Sequence, residues 1–194
     1  MLYSQTLAYV GVPTIPLSQA QAGDCVFCTS PGFVGWAIRL GQKIRGYGKY
    51  TTWSHVAWLD RPVRDDSGKV VDWYLGQAQG RGVYNTQLLS EHGGQYEIIS
   101  LSAFPRVVGT NQAWEQDRQE ILTMLRSQLG TKYGFLTILS IAFNVLTPKF
   151  IRVDFRRDGT WICSGLYAYG LLSGGGKITG DVYQQFPAEL AAIA

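Results

Sequence analysis

A mixed α+β domain is expected from this chain, and three observations carry the expectation. It has 194 residues, 46% of them hydrophobic and only 16% charged. That suffices for one well-cored domain and excludes both a disordered chain and a coiled coil. Its 23 Gly, 6 Trp and 11 Tyr combine tight turns with large aromatic anchors, which suits a sheet with helices better than a helical bundle. Finally, segments of period-2 patterning and segments of helical spacing follow one another along the chain.

Residues 1–22 contain Gly11, Pro13 and Pro16 with little periodicity and read as an irregular arm. Asp24–Cys28 is the first strand, ended by Thr29-Ser30-Pro31-Gly32. Phe33, Trp36, Ala37, Leu40 and Ile44 then recur at helical spacing. Strands are expected at Ser54–Leu59 and Val70–Leu75, joined as a hairpin through Arg64–Lys69, and another at Gln95–Ser100. Ala113–Leu129 is the best helix. Its stripe is Trp114, Ile121, Leu122, Leu125 and Leu129, Asn111 suits the N-cap, and Gly130 closes it.

An apolar helix follows Tyr133-Gly134 and stops at Thr147-Pro148; Ile151–Phe155 is one more short strand. Trp161–Leu166 opens a last helix that ends in Gly174-Gly175-Gly176. No repeats or charged linkers interrupt the pattern, so residues 23–194 are expected to form a single domain.

Seventeen Lys+Arg against fourteen Asp+Glu leave a formal +3. The cations are scattered, so no nucleic-acid partner is expected. No transmembrane segment is expected either. The most apolar run, Gly134–Leu146, is too short to span a bilayer and reads as a buried or lid-like helix. No secretory signal is evident at the start of the chain, which fits a cytoplasmic or virion-associated protein, or one released by lysis.

Three cysteines do not make a disulfide framework. Cys25-x-x-Cys28 lacks a second C-x-x-C or an H-x-x-x-H partner, so neither metal nor cofactor is expected. Its odd spacing along a strand points the two sulfurs to opposite faces. Cys163 differs, because it falls at a helix start. Unpaired N–H groups and the helix dipole there stabilise a thiolate, and the Cys163 N–H would be aimed at an oxyanion.

His55 alternates with Ala57 and Leu59 on one strand face. The hairpin register sets residue 78 near it, so a one-residue shift brings either Gln77 or Gln79 across from it. A Gln carbonyl accepting from Nδ1–H would hold Nε2 toward the thiol. His92, in Glu91-His92-Gly93-Gly94, reads as a turn residue without a role.

Trp161-Ile162-Cys163-Ser164-Gly165-Leu166-Tyr167 resembles the nucleophile motif of the NlpC superfamily of papain-like cysteine hydrolases. No His follows Cys163, so the order is similar to that of the circularly permuted branch, which includes YiiX-type proteins and the lecithin:retinol acyltransferase group. The matching segments are Gly23-Asp24-Cys25-Val26-Phe27, Trp53-Ser54-His55-Val56-Ala57, Gly76-Gln77-Ala78, Gly82-Val83, Gly130–Gly134, Cys163-Ser164 and Pro187-Ala188-Glu189-Leu190.

The resemblance spans about residues 23–190 and implies a permuted papain-like fold, with a small antiparallel sheet packed against helices. It also implies a cysteine peptidase or amidase with catalytic Cys163, His55 and Gln77. Gln77 departs from the Glu common in YiiX-type members. The implied substrate is a peptide or acyl compound, with cell-wall peptides of bacteria the first class to consider. A lipid acyltransferase or phospholipase and an inactive binding module are the alternatives, and Cys25 or Cys28 is the rival nucleophile.

Overall fold

A computed structural model describes residues 14–93, 95–107, 114–147, 154–155 and 157–194. The fold is mixed α+β. Its five-stranded antiparallel sheet has the order β4-β3-β2-β1-β5. The strands are β1 (Cys25–Cys28), β2 (His55–Arg64), β3 (Val70–Gln79), β4 (Gly82–Gln87) and β5 (Tyr96–Ile99). The helices are α1 (Gly32–Ile44), α2 (Leu88–His92), α3 (Trp114–Ser127), α4 (Phe135–Leu146), α5 (Cys163–Ser173) and α6 (Pro187–Ile193). Lys132–Tyr133 (β6) and Thr160–Trp161 (β7) add a two-stranded parallel pair.

Strand alternation sorts the core into two layers. Cys25, Phe27, Val56 and Trp58 meet Ile121 and Leu125 of α3 and Leu166, Tyr167 and Leu171 of α5. On the other face Val26, Ala57, Leu59 and Leu75 pack with Leu88 of α2 and with Ile15 and Leu17. The end of the expected irregular arm is therefore built into the molecule. Ile15 N–H donates to Ile98 O at 2.9 Å and Thr14 bridges Ile99.

The Gly23-Asp24 pair has a structural reason. Gly23 adopts φ 90°, a left-handed conformation that favours glycine, and its carbonyl accepts from the Tyr167 hydroxyl of α5 at 2.9 Å. Buried Asp24 accepts from Arg118 Nη1 at 2.9 Å, Leu101 N–H at 3.0 Å and Gln21 N–H at 2.8 Å. One carboxylate thus joins β1, α3 and the segment after β5.

The expected β2–β3 hairpin forms, with longer strands. Asp65 Oδ1 accepts from the N–H groups of Ser67 and Lys69, both at 3.0 Å, and closes the turn. The register changes between Leu59 and Arg61. Past that bulge Trp58 pairs with Gly76, where a Cβ would meet the Trp58 ring at 1.9 Å. Only glycine lets the indole lie there.

Several elements depart from expectation. Strand β4 and the β6–β7 pair were not anticipated as strands. The expected strand at Ile151–Phe155 falls mostly outside the described residues, and Asp154 and Phe155 are not in a strand. Asn111, expected as an N-cap, also lies outside them. Among the described residues, no helix is long and apolar enough to cross a membrane.

Candidate functional site

His55 opens β2 directly beside Cys28, its cross-strand partner at the end of β1. Ser54 ties these strand ends together. Its N–H donates to Cys28 O at 3.2 Å, and its Oγ accepts from Ser30 N–H at 2.8 Å. His55 is buried, 2% exposed, and its Nε2 stands 2.7 Å from Gln77 Oε1.

The pairs Ala57–Gln77, Trp58–Gly76 and Leu59–Leu75 set the local register. Carried two residues further, it puts Gln79 straight across from His55 and Gln77 on the diagonal. Both glutamines share the His55 face. The imidazole reaches along the strand, so its far nitrogen meets the diagonal neighbour.

This corrects the expected atom assignment, in which Nδ1–H bonds the glutamine and Nε2 faces the thiol. Gln79 Nε2 donates to Gln77 Oε1 at 3.0 Å, and the Tyr84 hydroxyl donates to Gln79 Oε1 at 2.6 Å. Gln77 Oε1 is therefore an acceptor, His55 carries its proton on Nε2, and Nδ1 is the basic nitrogen. Arg81 stacks over the Tyr84 ring at 3.6 Å and steadies the outer end of this chain. Burial lowers the His55 pKa to about 4, against the opposing pull of the Gln77 hydrogen bond and of Glu91.

Cys163 is the first residue of α5, preceded by Ile162 in an extended conformation, and no side chain caps the helix. Its thiol lies against the backbone N–H of Val56, the residue after His55 on β2. Burial raises the thiol pKa, while the N–H groups of Val56, Ser164 and Cys163 and the Ser164 hydroxyl pull it down. The helix-end effect expected from sequence is present, but burial outweighs it. Ser164 Oγ donates to Gln185 O at 2.5 Å and fixes the first turn.

The Cys163 thiol meets β2 at the Val56 N–H, next to His55 in the chain, and not on the face that carries His55. Helix α5 covers the layer of Val56 and Trp58, whereas His55 and Cys28 belong to the opposite layer. Among the described residues, His55 bonds the glutamines of β3 and no hydrogen bond joins it to Cys163. Two cavities adjoin there. One of about 800 Å³ is lined by His55, Gln79, Glu91 and His92. A small one, about 30 Å³, is lined by Cys163 and Ser164. Ile38 and Tyr133 border both.

His92 is the residue that sequence reasoning set aside. It ends α2, and its Nε2 lies 3.6 Å from Cys28 Sγ. The His55 and His92 ring centroids are 6.0 Å apart. Burial, followed by the neighbouring His55, lowers the His92 pKa to about 4. Burial raises the Cys28 and Cys25 thiols well above the ordinary range. The sulfurs of Cys25 and Cys28 do take opposite faces, Cys25 in the α5 layer. Only the five-residue α2 places His92 here, and no sequence motif marks it.

Comparison with known proteins adds no assignment: no family model matches the chain, and no curated protein matches it.

Proposed function

We propose that this chain is a cysteine hydrolase, a peptidase or amidase on a permuted papain-like fold, that works through a thioester on Cys163. The observation that carries the reading is the buried 2.7 Å hydrogen bond between His55 Nε2 and Gln77 Oε1. It leaves a basic Nδ1 on the residue next to the Val56 N–H that touches the Cys163 thiol. Gln77 is a positioning residue; His55 and Cys163 are the reacting groups.

In the first step His55 Nδ1 takes the Cys163 proton as sulfur bonds to the substrate carbonyl carbon. The imidazolium then gives that proton to the leaving amine as the C–N bond breaks. Water, deprotonated by the same nitrogen, attacks the thioester. The S–C bond breaks, the acid leaves, and the thiol is restored. Hydrogen bonds between a thiol and its base are commonly long before substrate arrives. Proton transfer here requires the Cys163 thiol and His55 Nδ1 to come within hydrogen-bond reach as substrate binds.

The substrate class follows from the resemblance, with cell-wall peptides first. A lipid ester is the second reading, favoured by one feature of the cavity mouth. Val34 and Ile38 of α1 and Phe135 of α4 line it, and Phe33, Trp36, Leu139 and Phe143 on the same two helices are exposed. A peptidoglycan digest run beside a labelled phospholipid separates the two. Release from either substrate should be lost in both Cys163→Ala and His55→Ala with the fold retained. Turnover retained in purified Cys163→Ala would refute the assignment.

A further inference from the structure

The second thiol–imidazole contact points to a different chemistry. We propose that Cys28, His92 and His55 form a three-ligand site for a borderline-soft divalent cation, Zn2+ being the type case. One ligand atom from each residue lies within 4.8 Å of the other two. With Zn–S of about 2.3 Å and Zn–N of about 2.05 Å, a tetrahedral ion sets sulfur and nitrogen roughly 3.6 Å apart. Cys28 Sγ and His92 Nε2 stand at 3.6 Å. The His55 nitrogen, within 4.8 Å of both, would close toward them to complete the set.

A thiolate with two imidazoles suits Zn2+ and disfavours Mg2+ or Ca2+, which take oxygen donors. Cys28 and His55 are cross-strand partners on neighbouring strands, so two of the three ligands sit on a rigid frame. His92 is held by α2, whose Leu88 is fully buried in the layer beneath. Gln77 Oε1 engages His55 Nε2–H, the outer support that orients a metal-bound imidazole and leaves Nδ1 to bind. The fourth position would open to the cavity of about 800 Å³ that His55 and His92 line. On binding, Cys28 loses its proton to solvent, and both imidazoles donate neutral lone pairs.

Sequence spacing hides such a site, because its ligands come from β1, β2 and α2 and form no short motif. The site differs in its thiol from the chemistry of Cys163, with which it shares His55 and the Gln77 that orients it. A bound cation takes the lone pair that would otherwise accept the thiol proton, so cation binding and catalysis exclude one another.

The test is a Co2+ titration of the full chain, first cleared of metal by a chelator, with Zn2+ as competitor. The wild type should bind one equivalent with a thiolate-to-cobalt charge-transfer band that Zn2+ abolishes. Cys28→Ser should lose the band, and His92→Gln should weaken binding at least about tenfold. Cys163→Ser should keep both band and affinity, which separates this proposal from the hydrolase reading. Circular dichroism checks each variant's fold; if Cys28→Ser does not fold, His92→Gln decides alone. No band in the wild type, full affinity in His92→Gln, or a band that survives in folded Cys28→Ser would overturn the site.

Discussion

His55 faces two demands that pull in opposite directions. Burial favours its neutral form, which keeps Nδ1 available as a base, and holds its pKa near 4. An unfolded chain gives the same side chain a pKa of about 6.5. Between those values the unfolded state binds the additional proton. Stability is therefore complete above about pH 6.5 and is lost as the pH falls toward about 4, by on the order of 3 kcal/mol for a fully buried group. His92 shifts the same way and is only partly buried, so it adds less.

Urea unfolding at pH 7 and at pH 4.5 measures this, and His55→Ala should flatten the dependence. Unchanged stability across that interval would contradict the buried, neutral imidazole. Gln77 acts through the same ring. Gln77→Ala strips the acceptor from a buried N–H, at roughly 1–3 kcal/mol, and should lower turnover about tenfold or more. Gln77→Glu should raise the pH at which activity begins, because a carboxylate favours the imidazolium. A pH–rate profile identical to wild type in Gln77→Glu would show that the two side chains are not coupled.

At the scale of elements, Asp24 locks strand to helix. Its carboxylate is buried and joined to Arg118 and two backbone N–H groups. Removing one partner of such a pair strands a buried charge, at roughly 3–5 kcal/mol. Asp24→Ala should therefore lower the urea midpoint far more than Asp65→Ala, whose carboxylate closes an exposed turn. Equal effects would contradict the lock.

The β2–β3 hairpin was legible for a related reason: its alternation and its polar, glycine-containing turn are local signals. The helices on either side of Gly130 and the start of α5 were legible likewise, by spacing and closing glycines. Strand β4 was not, because Val83-Tyr84-Asn85-Thr86 has only one buried residue, Val83. The pairing of β6 with β7 joins segments 28 positions apart (132 to 160) through two residues each, too little pattern for a sequence to display.

Taken as one molecule, the candidate site draws His55 and Gln77 from the sheet and Cys163 from a helix a hundred residues later. Chain order and motif chemistry named these three residues, and the structure brings His55 and Gln77 together. They did not anticipate which imidazole nitrogen meets Gln77, since that depends on register: the Asp60 bulge leaves Gln77 on the diagonal and Gln79 opposite. Nor did they anticipate His92, whose position follows from α2 packing Leu88 beneath the sheet.

The closing segment near the C-terminus also bears on the site. Gln42, buried on α1, donates to Trp53 O at 2.7 Å and accepts from Ala188 N–H at 2.8 Å. The same α1 carries Ile38, which borders both cavities. Gln42 thus ties Trp53 and Ala188 to the helix whose Ile38 borders both cavities.

The most direct measurement is a single-turnover reaction with an activated acyl ester, followed by mass-spectrometric mapping of the acylated residue. The account predicts one acyl group on Cys163, absent in Cys163→Ala and turned over far more slowly in His55→Ala. An acyl group on Cys28 or Cys25, or none on any cysteine, would contradict it.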